Sequence, residues 1–112
     1  MSIISTHVLD TMRGTAAAGI RVTLSRREPD GDWKALAHAD TDADGRIREL
    51  AHESLEAGEY MLRFETRRYF ERSGLSAFYP EVSVVFGLDD EVAHLHVPLL
   101  LSPYGYTTYK GV

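Results

Sequence analysis

Ile20-Arg21-Val22-Thr23-Leu24-Ser25 alternates apolar with polar residues, and the reading of this stretch decides the fold class. Successive side chains of a strand point to opposite faces, so this is a strand with one buried and one wet face. The pattern recurs outward from it. Tyr60, Leu62 and Phe64 share a face in a strand that Gly58 opens, and Val82, Val84 and Phe86 do the same in the run from Glu81 to Phe86. Further strands are expected over Ile3 to Leu9, from Trp33 through Ala37, over Ala93 to Leu101 and over Tyr104 to Tyr109. Asp30-Gly31-Asp32 and Thr41-Asp42-Ala43-Asp44-Gly45 fall between them, rich in side chains that bond their own backbone. One stretch departs from the pattern. Tyr69, Phe70 and Ser73 lie at helical spacing and Gly74 follows as a stop, which predicts a short helix within 66–73. Residues 50–57 fit either another helical turn or a loop. Seven or eight short strands and one helix predict an all-β fold, an antiparallel β-sandwich.

Composition bounds the function. The 112 residues suit a single domain over 1–112, long enough to bury a core. Twelve basic against seventeen acidic residues leave a net charge of −5, which argues against a nucleic-acid partner. There is no cysteine, so disulfides, thiolate metal sites and a cysteine nucleophile are excluded. The start Met1-Ser2-Ile3-Ile4-Ser5-Thr6-His7 does not read as a signal peptide, and Val97-Pro98-Leu99-Leu100-Leu101 is too short to cross a membrane. A soluble, cytoplasmic protein with no membrane partner is expected.

Three histidines stand out. His94 and His96 are two apart in a strand and share a face, while Leu95, Val97 and Leu99 take the core side. The outer face then carries His94, His96, Pro98 and Leu100, which reads as a cavity lining or a subunit interface rather than plain surface. His7 sits near the end of the first strand, beside Ser5 and Leu9. Three readings of this set stay open: interface imidazoles with satisfied hydrogen bonds, a zinc site with three ligands, or acid–base groups. Arg46, just past the turn at Asp44-Gly45, has a guanidinium fork suited to a planar, oxygen-rich anion. His38 and His52 read as surface residues, and Ser102 lacks the context of a nucleophile. Asp40, Asp42 and Asp44 alternate as in a calcium loop, but no glutamate stands where an EF-hand needs its last ligand.

Taken together, Ser5-Thr6-His7-Val8-Leu9-Asp10, Asp44-Gly45-Arg46-Ile47, Phe78-Tyr79-Pro80-Glu81-Val82 and the long run from His94 to Tyr109 resemble the 5-hydroxyisourate hydrolases, transthyretin-like enzymes of purine breakdown. The resemblance covers nearly the whole chain in order. It implies the transthyretin-like sandwich of two four-stranded sheets with one short helix. It implies a homotetramer with active sites at the dimer–dimer interface, which would cover the outer face of His94 and His96. It further implies hydrolysis of 5-hydroxyisourate, a small-molecule substrate, to 2-oxo-4-hydroxy-4-carboxy-5-ureidoimidazoline in urate degradation, without metal or cofactor. By position, His7, Arg46 and His96 match the catalytic residues, and the tail Tyr109-Lys110-Gly111-Val112 matches a substrate-binding tetrapeptide.

The tail is also the departure. The family ends Tyr-Arg-Gly-Ser, whereas this chain ends Tyr109-Lys110-Gly111-Val112. Lysine keeps the charge but not the two-pronged donor set, and valine lacks a hydroxyl. Two alternatives therefore stand beside the hydrolase: a member recruited to a related heterocycle, and a non-catalytic binding protein in the manner of transthyretin. Retention of His7, Arg46 and His96 speaks against the second.

Overall fold

Burial follows the expected alternation from the first strand onward. The structure is a computed structural model that describes residues 3–51, 55–90 and 93–111. Its elements are Ile3–Asp10 (β1), Thr15–Ala16 (β2), Arg21–Arg27 (β3), Trp33–Asp40 (β4), Arg46–Ile47 (β5), Gly58–Phe64 (β6), Arg67–Arg72 (α1), Val82–Leu88 (β7), His94–His96 (β8), Leu99–Ser102 (β9) and Gly105–Thr108 (β10). Ile4, Thr6, Val8 and Asp10 of β1 are buried inward, while Ser5, His7 and Leu9 lie on the opposite face.

One sheet has the order β4-β3-β6-β7 and is antiparallel throughout. The other is built around β1, with β9 and then β10 on one side and β2 on the other; β5 and β8 also pair with β1. β8 and β9 keep one register, Ile3 facing His94 and Val8 facing Leu99, so they form one line broken at Pro98. Proline has no N–H to give to the ladder, which accounts for the break in the strand expected over Ala93 to Leu101. β2 and β5 share the other edge of β1, since Val8 donates its N–H to the Gly45 carbonyl and Ala17 donates to that of Val8. Counted by position, each sheet is four strands wide, as the family resemblance implies. The pairing of β1 with β8 and β9 is parallel, however. Side-chain alternation carries no information on strand direction, so an antiparallel pairing expected there is corrected.

The inner faces close on a core of Ile4, Val8, Val22, Leu24, Tyr60, Leu62, Phe64, Phe70, Leu99 and Leu101, each at most 2% exposed. Burying each such side chain is worth about 1.5–3 kcal/mol before entropy is counted. The six residues of α1 are too few to be helical alone. They are anchored by buried Tyr69 and Phe70, and by the Tyr69 hydroxyl, which donates to Asp10 Oδ2 at 2.7 Å. Gly74 ends the helix at φ +71°, donating its N–H to the Glu71 carbonyl, as expected of that glycine. Leu50, Ala51 and Leu55 are buried in irregular chain; His52 and the rest of the helical alternative at 52–54 lie outside the described residues.

Candidate active site

Arg46 owes its place to the turn before it. The Asp42 carboxylate accepts the N–H groups of Asp44 and Arg46, each at 2.9 Å, and the Asp42 N–H returns to the Arg46 carbonyl. The bond from the Arg46 N–H holds the Asp42 carboxyl below the usual carboxylate range, the Asp44 N–H adding to it. Of the alternating aspartates it is Asp42 whose carboxylate builds the turn, while Asp40 Oδ1 accepts from Arg21 Nε at 2.6 Å. Gly45 sits at φ +73°, and a Cβ there would stand 2.4 Å from the Val8 carbonyl oxygen, so only glycine fits. The turn delivers Arg46 directly opposite His7 across the β1–β5 pair. His7 Nε2 lies 2.9 Å from the Asp44 carbonyl oxygen. A carbonyl can only accept, so Nε2 carries the proton and Nδ1 of a neutral His7 is free.

His96 reaches the same place from the other side of β1. Its Nδ1 is 2.8 Å from Ser5 Oγ, and His94 Nε2 is 2.9 Å from that oxygen. The Gly111 N–H donates to the His96 carbonyl at 2.7 Å, folding the tail back across β8. Burial pushes the His96 pKa down, and the positive charges of Arg46, His7 and His94 push it in the same direction. A neutral imidazole at neutral pH is the consequence, with the free lone pair that a base needs. A cleft of about 370 Å3 opens here, lined by Ser5, Thr6, Arg46, Ile47, Arg48, His94, His96 and Gly111. Two guanidinium groups and no carboxylate among these residues suit a planar ligand rich in oxygen or carrying negative charge.

The expected residues are not all gathered. Arg46, His96 and Gly111 line the cleft, and His7 stands beside it, opposite Arg46 in the β1–β5 register. Tyr109 and Lys110 line a second cavity of about 340 Å3, with Val84, Phe86, Leu95 and Val97 among its walls. Adjacent residues of an extended chain face opposite ways, so packing Gly111 on His96 turns Lys110 from the histidine cleft. Val112 lies outside the described residues. Pro98, expected on the outer stripe with the histidines, is buried within the chain, and its carbonyl accepts the Thr108 hydroxyl at 2.8 Å. His38 lies on β4 of the other sheet. Among the described residues no three His, Cys, Asp or Glu side chains converge as a metal-ligand set. Two cleft residues went unsingled in the sequence. Ser5 stands two before His7 on the same strand face, which was its one available signal; Arg48 had none beyond its spacing from Arg46.

Comparison with known proteins fits this arrangement. The sequence model of the HIUase/Transthyretin family matches residues 4–111. A 5-hydroxyisourate hydrolase of Mus musculus is 46% identical over 112 residues, covering 98% of this chain and 95% of that protein. One of Salmonella dublin is 44% identical over 111 residues, covering 98% of this chain and 81% of its own. In structure the chain is similar to Klebsiella pneumoniae 5-hydroxyisourate hydrolase, with TM-score 0.87 and 38% identity over 100% of this chain and 94% of that one. It is similar to sea bream transthyretin in complex with thyroxine as well, with TM-score 0.92 and 35% identity over 97% of this chain and 94% of that one. Hydrolase and transthyretin thus share a backbone, and with a family match spanning residues 4–111 this chain belongs to the HIUase/Transthyretin family.

Proposed function

We propose that this protein hydrolyses 5-hydroxyisourate to 2-oxo-4-hydroxy-4-carboxy-5-ureidoimidazoline. The observation that carries the reading is that Arg46 and His96 line one cleft with no carboxylate among its described lining residues, with His7 opposite Arg46 in the β1–β5 register, in a chain whose full-length relatives are named as that hydrolase. A transthyretin-like backbone alone does not choose between an enzyme and a carrier. The side chains in the cleft favour the enzyme.

Water attacks a ring carbonyl of the bound heterocycle. His96, kept neutral by its surroundings, takes the proton from water as the new C–O bond forms. Arg46 faces the charge that develops on the carbonyl oxygen, the contribution that is commonly largest in such reactions. The C–N bond then breaks, and the leaving ring nitrogen receives a proton from the histidine pair. His7, oriented by its Nε2–H bond to the Asp44 carbonyl, binds beside Arg46 and shares that proton traffic. Neither a metal nor a cofactor is part of the proposed chemistry. Of the tail, Gly111 and Val112 are assigned to substrate binding at this cleft, and Tyr109 and Lys110 to binding from the second cavity that they line. The working particle is a cytoplasmic homotetramer with sites between dimers. Two features support assembly: β7 and β10 are both unpaired sheet edges, and they carry exposed Val85 and Tyr106.

The test is the loss of ultraviolet absorbance of freshly generated 5-hydroxyisourate. Acceleration over the spontaneous decay, unchanged by a chelator, is expected. No acceleration would move the assignment to a binding protein or to another heterocycle.

A further inference from the structure

One hydroxyl serves two imidazoles. Ser5 Oγ contacts His94 Nε2 at 2.9 Å and His96 Nδ1 at 2.8 Å, and has no other partner among the described residues. Ser5 is 7% exposed, so its single proton has little choice of acceptor. It goes to one imidazole, and the other donates a ring N–H to Oγ.

With both rings neutral, two arrangements are possible. In the first, Ser5 donates to His94 Nε2 and accepts Nδ1–H from His96; His96 Nε2 is then unprotonated and can act as a base. In the second, His94 donates Nε2–H to Ser5, and Ser5 donates to His96 Nδ1; His96 then carries its proton on Nε2 and has no lone pair to offer. A charged His94 has a proton on Nε2 and so admits only the second while His96 is neutral. If both rings were charged, the hydroxyl proton would have no acceptor among the described residues.

We propose that His94 and Ser5 are positioning residues which set the tautomer of His96: only a neutral His94 can accept the Ser5 proton, so that Ser5 takes the Nδ1–H of His96 and leaves its Nε2 free, and protonation of His94 forces the opposite arrangement. The choice of the first arrangement while His94 is neutral, and its kinetic consequence, rest on the hydrolase reading above; its exclusion by a charged His94 does not. The groups facing His96 are His94 on its own strand, His7 on β1, Arg46 on β5 and Arg48 just past it, while Lys110 beside Gly111 in the tail turns away into the second cavity. Arginine and lysine stay charged through the acid range, so the histidines alone change state there.

Nitrogen-detected NMR of the substrate-free protein reads the tautomer directly. At pH 8, His96 should carry its proton on Nδ1 in the wild type, and this preference should vanish in Ser5→Ala. At a pH where His94 is charged, the neutral fraction of His96 should hold its proton on Nε2. His96 with an Nε2 proton at pH 8, or a tautomer indifferent to Ser5 and to His94 charge, would overturn the proposal. In kinetics, Ser5→Ala should lower kcat by about 10-fold with KM little changed, and Ser5→Thr should recover it. His94→Gln can still accept the Ser5 proton, so its kcat should stay well above that of His94→Leu. His94→Leu cannot, and should lower kcat. Equal kcat in His94→Gln and His94→Leu would refute the coupling. A wild type with no activity would defeat the substrate assignment while the NMR result still decides the tautomer, and the wild-type and His94→Gln spectra decide it if Ser5→Ala does not fold.

Discussion

Gly111→Ala is the sharpest perturbation of the site that removes no catalytic side chain. A Cβ at residue 111 would stand 2.7 Å from His96 Cδ2, and 3.0 Å from both the Cβ and the carbonyl oxygen of His96. Carbon atoms sit comfortably at about 3.5–4.0 Å, so either the tail or the imidazole must move by about 1 Å. The Gly111 N–H to His96 carbonyl bond of 2.7 Å resists movement of the tail. A displacement of about 1 Å in a catalytic group costs roughly 100-fold, or about 2.7 kcal/mol of transition-state stabilisation. The assay is kcat on 5-hydroxyisourate, with thermal unfolding as control. The tail lies at the end of the chain, so Tm should stay within a few degrees while kcat falls. Gly105→Ala is the matched control: its Cβ would meet only Ser102 Oγ, at 3.8 Å, an ordinary contact. A Gly111→Ala enzyme with kcat within about twofold of the wild type would refute the claim that the tail positions His96.

Alanine at His7, Arg46 or His96 should lower kcat by roughly 10²–10⁴ each, while His38→Ala on the far sheet should be near neutral, both read by initial rates. Tyr69→Phe should cost about 1–3 kcal/mol in denaturant unfolding, because it strips a donor from the carboxylate of Asp10, which is 1% exposed. Burial, with the Asp10 hydrogen bond and charge adding to it, pushes the Tyr69 pKa up to about 12. The folded protein therefore holds this proton more tightly than the unfolded chain: the linked stability is whole below pH ~10 and is lost as the pH rises through about 12, so unfolding scans of wild type and Tyr69→Phe should converge there. His96 works in the opposite direction; its lowered pKa means that the unfolded chain binds the proton first, so stability should fall as the pH drops below ~6.5, and His96→Gln should flatten that slope. Lys110→Arg combined with Val112→Ser restores the family ending and should raise kcat/KM on 5-hydroxyisourate by up to roughly tenfold; a decrease would favour a different heterocycle as substrate.

The residues that face water explain how much of this was legible in sequence. Wherever a strand has one wet face, as at Ile20 to Ser25, alternation announces it. β2 and β5 are two residues each, too short to show any period, and they exist because β1 offers a free edge. The parallel run of β8 and β9 along β1 joins the two ends of the chain, and nothing in either segment states direction. The shared face of His94 and His96 was readable from their spacing. The meeting of Arg46 with His7 was not, because it depends on a register set by the Asp42 bonds and by a glycine pressed on Val8; family resemblance supplied it. Ser5 escaped notice because serine is common on wet strand faces and acquires meaning only beside two imidazoles. Lys110 was grouped with Gly111 by sequence, yet an extended chain sends neighbours to opposite sides.

Hydrolysis of 5-hydroxyisourate is assigned to the cleft between β1, β5 and β8. The most direct measurement sets the initial rate on fresh 5-hydroxyisourate for the wild type beside that for Arg46→Ala, with the spontaneous decay subtracted. A clear enzymatic rate is expected for the wild type and a drop in kcat of at least about 100-fold for the variant, both folded by thermal unfolding. Equal rates for the two proteins would contradict the assignment.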